Sequence, residues 1–205
     1  MKLYSYVVAR DYGFAPNPFF GVCTLATCKP RIRSTAEIGD WIVGTGSKKR
    51  NREKHVVYVM RVTEAMSFND YWNDPRFQTK HPNLRGSKKQ AFGDNIYFKN
   101  SHTGKWHQEN SHHSYADGRI NRANVAADTQ ANRILVSTDF VYWGGMGPEI
   151  PKRFLNYGPD HVSICVGRNH KNKFPTGLVQ DVIAWIRSLN EQGRCGEPLD
   201  WSRTP

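Results

Sequence analysis

Gly39-Asp40-Trp41-Ile42-Val43-Gly44 and, a few residues on, Val56-Val57-Tyr58-Val59-Met60-Arg61-Val62 are the stretch on which the fold turns. Each is a short run of β-branched and aromatic residues, the first opened by a Gly-Asp turn, so both read as strands. Between them lies Ser47-Lys48-Lys49-Arg50-Asn51-Arg52-Glu53-Lys54. The simplest geometry is two strands joined by a cationic tip.

Upstream, Leu3 to Val8 reads as an opening strand, followed by a loop in which Pro16 and Pro18 forbid regular structure around Phe14, Phe19 and Phe20. Cys23 to Ile38 is expected to hold a short helical or irregular crossing. Downstream, Ser67 is placed to cap a short helix ended by Pro75. Residues 74 to 93 look irregular, with Lys80, Arg85, Lys88 and Lys89 exposed. A strand at Asn95 to Lys99 leads into a polar, hairpin-like stretch carrying His102, His107, His112 and His113. Ile134 to Val136, Phe140 to Trp143 and Val162 to Val166 are three further extended pieces. Leu178, Val182, Ile186 and Leu189 recur at helical spacing, with Thr176 to cap the start and Asn190 or Gly193 the end.

The 205 residues, 38% hydrophobic and 12% aromatic, suffice for one folded domain spanning 1–205, with a tail at 198–205. No stretch approaches the roughly 18 apolar residues of a membrane span, and the first residues lack a signal-peptide core, so a cytoplasmic protein with no membrane partner is expected. The four cysteines form no CxxC pair, which argues against a zinc ribbon or disulfide framework. A net charge of +11 points to a polyanionic partner. Rossmann and P-loop fingerprints are missing, and no cofactor is called for.

The segments Asn17 to Pro30, Gly39 to Ser47, Ser111 to Ser114 and Phe140 to Gly145 together resemble the second nucleotide modification associated domain family. The resemblance covers most of the chain and implies DNA base hypermodification, hence nucleic acid, DNA before RNA, or a nucleotide as partner. Gly39-Asp40-Trp41-Ile42 and Tyr58 to Glu64 are also similar to EVE and YTH domains of the PUA-like group. That similarity implies an α+β fold, a mixed β-barrel or strongly curved sheet with flanking helices, and an aromatic pocket for a base.

Three sets of residues carry candidate chemistry. Lys48, Lys49, Arg50, Arg52 and Lys54, with Arg31 and Arg33 as neighbours, would neutralise phosphates. Trp41, Gly44, Thr45, Gly46, Tyr142 and Trp143 would form a base pocket, because each indole sits near glycines that admit a ligand to the backbone. His112 or His113, with Ser111, Ser114, Asp117 or Asp128, would move a proton near neutral pH. A thiolate at Cys23 or Cys28 would need nearby cations, which Lys29, Arg31 and Arg33 offer. The catalytic set is therefore His112, His113, Ser114, Asp128 and Cys23. No HExxH or HxE…CxxC spacing surrounds the histidines, so no metal is expected. The leading function is base recognition or modification, and the alternative is a transferase or hydrolase acting on free nucleotides or modified bases.

Overall fold

The computed structural model describes residues 1–203. Its strands are β1 (Leu3–Val7), β2 (Cys23–Leu25), β3 (Trp41–Thr45), β4 (Val56–Arg61), β5 (Glu64–Met66), β6 (Tyr97–Lys99), β7 (Trp106–Gln108), β8 (Ile134–Ser137), β9 (Asp139–Tyr142), β10 (His170–Lys171) and β11 (Gly193–Arg194). Its α-helices are α1 (Pro30–Thr35), α2 (Phe68–Asn73), α3 (Lys88–Ala91), α4 (Arg122–Asp128), α5 (Lys152–Leu155) and α6 (Thr176–Ser188). The protein is mixed α/β, and the chain groups into two compact units. No helix among the described residues is long and apolar enough to cross a membrane.

The first unit comprises Met1–Asp11, Ala36–Val62 and Thr138–Pro205. Its six strands form one mixed sheet in the order β10-β1-β3-β4-β9-β11, with β1 and β3 parallel and β3 and β4 antiparallel. The sheet is open, with two-residue strands at both edges, and no closed barrel forms among the described residues. Gly39 adopts φ +94°, and the Asp40 carboxylate accepts from Lys2 N at 2.6 Å and Glu37 N at 3.0 Å, which fixes where β3 starts. Every residue of β3 is buried, as its apolar run requires. Leu178, Val179, Val182 and Ile186 of α6 join Trp41, Val59 and Trp143 in one core. Pro175 precedes the first residue of α6, Thr176, and Asn190 takes the left-handed conformation beyond its end. Val162 to Val166 is not a strand. Only Val162 pairs, with Tyr157, because Ile164 N turns to Phe154 O and Cys165 N to Ser163 Oγ. The expected tail at 198–205 extends to Thr204 and Pro205, which lie outside the described residues. Before them Leu199–Arg203 forms a 3-10 helix, and the buried Asp200 carboxylate accepts from Asp11 N at 2.7 Å.

The second unit comprises Tyr12–Thr35 and Thr63–Ser137. It holds the antiparallel sheet β2-β8-β5, the hairpin β6-β7 and helices α1 to α4, around a core that includes Phe14, Phe68, Tyr71, Tyr97 and Ile134. Cys23–Leu25, expected within an irregular crossing, pairs instead with β8. Ser67 caps α2 in a capping box with Asp70. Lys80, expected at the surface, is fully buried. Its ammonium donates to Asn17 O at 3.1 Å, Asn17 Oδ1 at 2.7 Å, Val22 O at 3.2 Å and Thr24 Oγ1 at 3.2 Å. Asp94, also buried, accepts from Thr24 Oγ1 at 2.6 Å and Tyr71 OH at 2.8 Å. Burial pushes the Lys80 ammonium down and the Asp94 carboxyl up, each opposed by the other's charge.

Removing Lys80 strands those acceptors and leaves Asp94 a buried charge without its counter-charge. Lys80→Met, which keeps the stem, is expected to cost about 3 kcal/mol in urea unfolding, whereas Lys48→Met at the exposed tip stays within about 0.5 kcal/mol.

Candidate active site

Beyond β2 the chain turns sharply into α1 through two consecutive residues in the left-handed region, Cys28 (φ +57°) and Lys29 (φ +41°). Side-chain-bearing residues adopt that region at a cost of about 1–2 kcal/mol each, so the surrounding structure must hold them there. It does so at both polar groups of the Cys28 backbone. The N–H donates to Asp128 Oδ1 at 2.7 Å, and the carbonyl accepts from Arg33 Nε at 2.8 Å.

Asp128, the last residue of α4, is 3% exposed. Its other oxygen accepts from Tyr97 OH at 2.9 Å and pairs with His113 Nδ1 at 2.7 Å. With Nδ1 donating to the carboxylate, the ring turns Nε2 toward Cys28 Sγ, 3.9 Å away. Gln108 Nε2 and Asn124 Nδ2 bind the His113 carbonyl at 3.0 and 2.7 Å, so the loop as well as the ring is fixed. The Phe14 ring lies 4.6 Å from the imidazole. Cys28 and His113 are half-buried.

The electrostatics follow from this packing. Burial disfavours the His113 imidazolium, but its hydrogen bonds to Asp128 and Cys28, with their charges, outweigh that effect and raise the group to about 9. Burial brings the Arg33 guanidinium down to about 10, opposed by Asp128 and Cys28, and lowers Lys29, opposed by Cys28. Burial pushes the Tyr97 phenol well up, and Asp128 pushes it further. Lys29, Arg33 and His113 thus all interact electrostatically with Cys28.

Of the expected catalytic set, His113 and Asp128 come together, and Cys28 takes the place given to Cys23. Cys23 is fully buried in the Lys80 region, and burial pushes its thiol up to about 12. Ser114 Oγ is spent inside its own turn, on Asn110 Oδ1, Ser111 O and Tyr115 O. His112 packs its ring on Tyr12, Phe14 and Phe92, with centroids 4.8, 5.2 and 5.2 Å away. Tyr97 and Gln108, which complete the site, carry no sequence signal beyond their neighbourhood.

The other expected sets are placed as follows. Lys48, Lys49 and Lys54 are exposed, whereas Arg50 pairs with buried Asp200 and Arg52 donates to Gly147 O at 2.9 Å. Arg31 is exposed on α1. Arg33 is fully buried, its guanidinium binding the carbonyls of Cys28, Ala131, Arg133 and Asp128, so it is a clamp and no phosphate ligand. Trp41 and Trp143 share the core of the first unit, each 3% exposed. Trp143 Nε1 donates to Glu191 Oε2 at 2.6 Å, and the Arg187 guanidinium covers the Trp41 ring at 4.9 Å. A Cβ on Gly44 would meet the Tyr58 ring at 2.3 Å, and one on Gly46 would meet Arg52 O at 2.3 Å. These glycines make room for protein atoms. Thr45 Oγ1 is bound to Tyr6 O and Tyr142 OH to Asp11, both buried.

A family model, nucleotide modification associated domain 2, matches residues 1–205. The chain belongs to that family. No curated protein and no solved structure matches it. In this member of the nucleotide modification associated domain 2 family, Cys28, His113 and Asp128 keep one donor atom each within 4.8 Å of the others, a spacing that a metal centre shares. Both Asp128 oxygens accept protein hydrogen bonds, and one of them holds His113 Nδ1 and so orients the imidazole. The geometry suits a thiol, an imidazole and an orienting carboxylate.

Because His113 is raised in the folded state, the folded protein binds the extra proton between its ordinary value of 6.5 and about 9. The stabilisation is complete below pH 6.5 and is lost as pH rises through 9, about 3 kcal/mol in all. Urea midpoints measured from pH 6 to 10 should fall across that window, and His113→Gln should flatten the profile.

Proposed function

We propose that this member of the family is a thiol-dependent enzyme of nucleotide or base modification, with Cys28 as nucleophile, His113 as acid and base, and Asp128 as the group that orients the imidazole. The observation carrying it is Cys28 Sγ facing His113 Nε2 while Nδ1 is held on a buried carboxylate. His113 is held as an imidazolium at neutral pH, and Cys28 reacts as the thiolate beside it. The thiolate attacks an electrophilic carbon of the substrate, and the imidazolium gives its proton to the departing group. Water or an amine then releases the covalent intermediate, with the imidazole accepting its proton. Membership of a nucleotide modification associated family supports a nucleotide or base as the substrate. Lys29 and Arg33 reinforce the positive surroundings of the sulphur.

A second reading, base recognition in DNA without chemistry, draws on exposed Lys48, Lys49 and Lys54 at the tip between β3 and β4. That antiparallel pair, started by the Gly39-Asp40 turn, is the element such a module would share with PUA-like domains.

Alkylation separates the two. Burial holds Cys23, Cys165 and Cys195 up, whereas Cys28 adjoins an imidazolium. With iodoacetamide at pH 7, peptide mass spectrometry should find Cys28 modified first, and His113→Ala should slow it by about tenfold or more. Faster labelling of exposed Cys195, with tight oligonucleotide binding by Cys28→Ser, would transfer the assignment to the second reading.

A further inference from the structure

The helix that ends in Asp128 has a second face. Asn124 and Asp128 turn toward the His113 loop, while Arg122, Val125, Ala126 and Thr129, at i, i+3, i+4 and i+7, border a cavity of about 520 Å³ with Lys105 and Trp106. A second cavity of about 750 Å³ shares Ile120 and Arg122 with the first and continues past Tyr115 and Arg119. The two cavities adjoin at Ile120 and Arg122, and each has room for a nucleotide-sized group.

Their charges are unevenly spent. Glu109 is engaged by His107 at 3.1 Å, and Arg119 by Asp117 at 2.6 Å. The charged ends of Lys105 and Arg122 are exposed and make no hydrogen bond or ion pair among the described residues. Aromatic faces accompany them. Tyr115 is 52% exposed, with the Arg119 guanidinium 5.9 Å from its ring, and Trp106 borders the other end. Exposed cations beside an exposed tyrosine ring at these cavities suit the phosphates and bases of a strand.

We propose that these adjoining cavities bind single-stranded nucleic acid, with Lys105 and Arg122 on successive phosphates and Tyr115 stacked on a base. The assignment names the substrate class of the Cys28 site and rests on that reading for the reaction, since one helix carries Asp128 and borders the first cavity. Strand binding is read with no reaction, and Cys28 alkylation is read with no strand, so either can fail alone.

The test is equilibrium binding of fluorescein-labelled oligothymidylate across a salt series. Lys105→Ala with Arg122→Ala should weaken binding by about tenfold or more and reduce the salt slope by about 1.4, two phosphate contacts on a single strand. Tyr115→Leu should weaken oligothymidylate binding about tenfold while leaving an abasic strand of equal length unaffected. All three side chains are exposed, so melting temperatures should hold, and Arg122→Gln, which keeps the stem, serves if the alanine variant melts early. Unchanged affinity and slope in these variants, with the loss appearing in Lys48→Ala and Lys49→Ala instead, would overturn the proposal. So would thymidine monophosphate binding as tightly as the strand.

Discussion

One carboxylate organises the second unit. Asp128 is almost fully buried, and a buried carboxylate is tolerable only when its lone pairs are taken up. Here the donors come from three separate segments: the Cys28 N–H from the turn after β2, the Tyr97 hydroxyl from the β6-β7 hairpin, and His113 from the loop beyond it. Hydrogen bonds to a charged group contribute about 1.5–3 kcal/mol each, so their combined stabilisation comfortably exceeds the cost of two left-handed residues. The strained turn and the oriented imidazole are thus two results of one cause. Thiol, imidazole and carboxylate are held in place by the fold itself.

The same unit uses cations in a way that its net charge conceals. Much of it is loop, and a loop folded into an interior brings backbone carbonyls that no ladder satisfies. Lysine and arginine carry donors and no acceptors, so a single buried side chain can satisfy several carbonyls at once. Arg33 does this for Cys28, Asp128, Ala131 and Arg133, and Lys80 for Asn17 and Val22. Two of the positive charges that suggest a polyanion partner are therefore spent on the fold. Lys48, Lys49, Lys105 and Arg122 are among the cations that stay exposed.

This explains what could and could not be read from the chain. β1, β3, β4 and α6 were legible because period and residue type alone define a buried strand or an amphipathic helix. His113 and Asp128, which pair at 2.7 Å, were legible by residue type. The choice of Cys28 over Cys23 was not, because it depends on a hydrogen bond spanning 100 residues and on which thiol β2 carries into the core. Arg33 and Lys80 defeated the reading for a related reason: nothing local shows that a cation faces carbonyls. Gly44 and Gly46 looked like openings for a ligand, yet the space they leave is filled by Tyr58 and Arg52. An absent side chain marks a close approach without saying what approaches.

The seven residues of α4 bind these threads together mechanically. Successive helical residues differ by 100° in direction, so Asn124 and Val125 point to adjacent faces of the same short cylinder. Asn124 and Asp128 hold the His113 carbonyl and ring, while Arg122, Val125 and Ala126 border the cavity. A helix this short moves as a rigid piece, and its Asp128 end is pinned by three donors. Any force on the cavity face is therefore delivered to the carboxylate that aims the imidazole, and the cost of displacing that carboxylate resists the shift. Occupancy of one face and alignment of the other must be compatible in a single position of the helix.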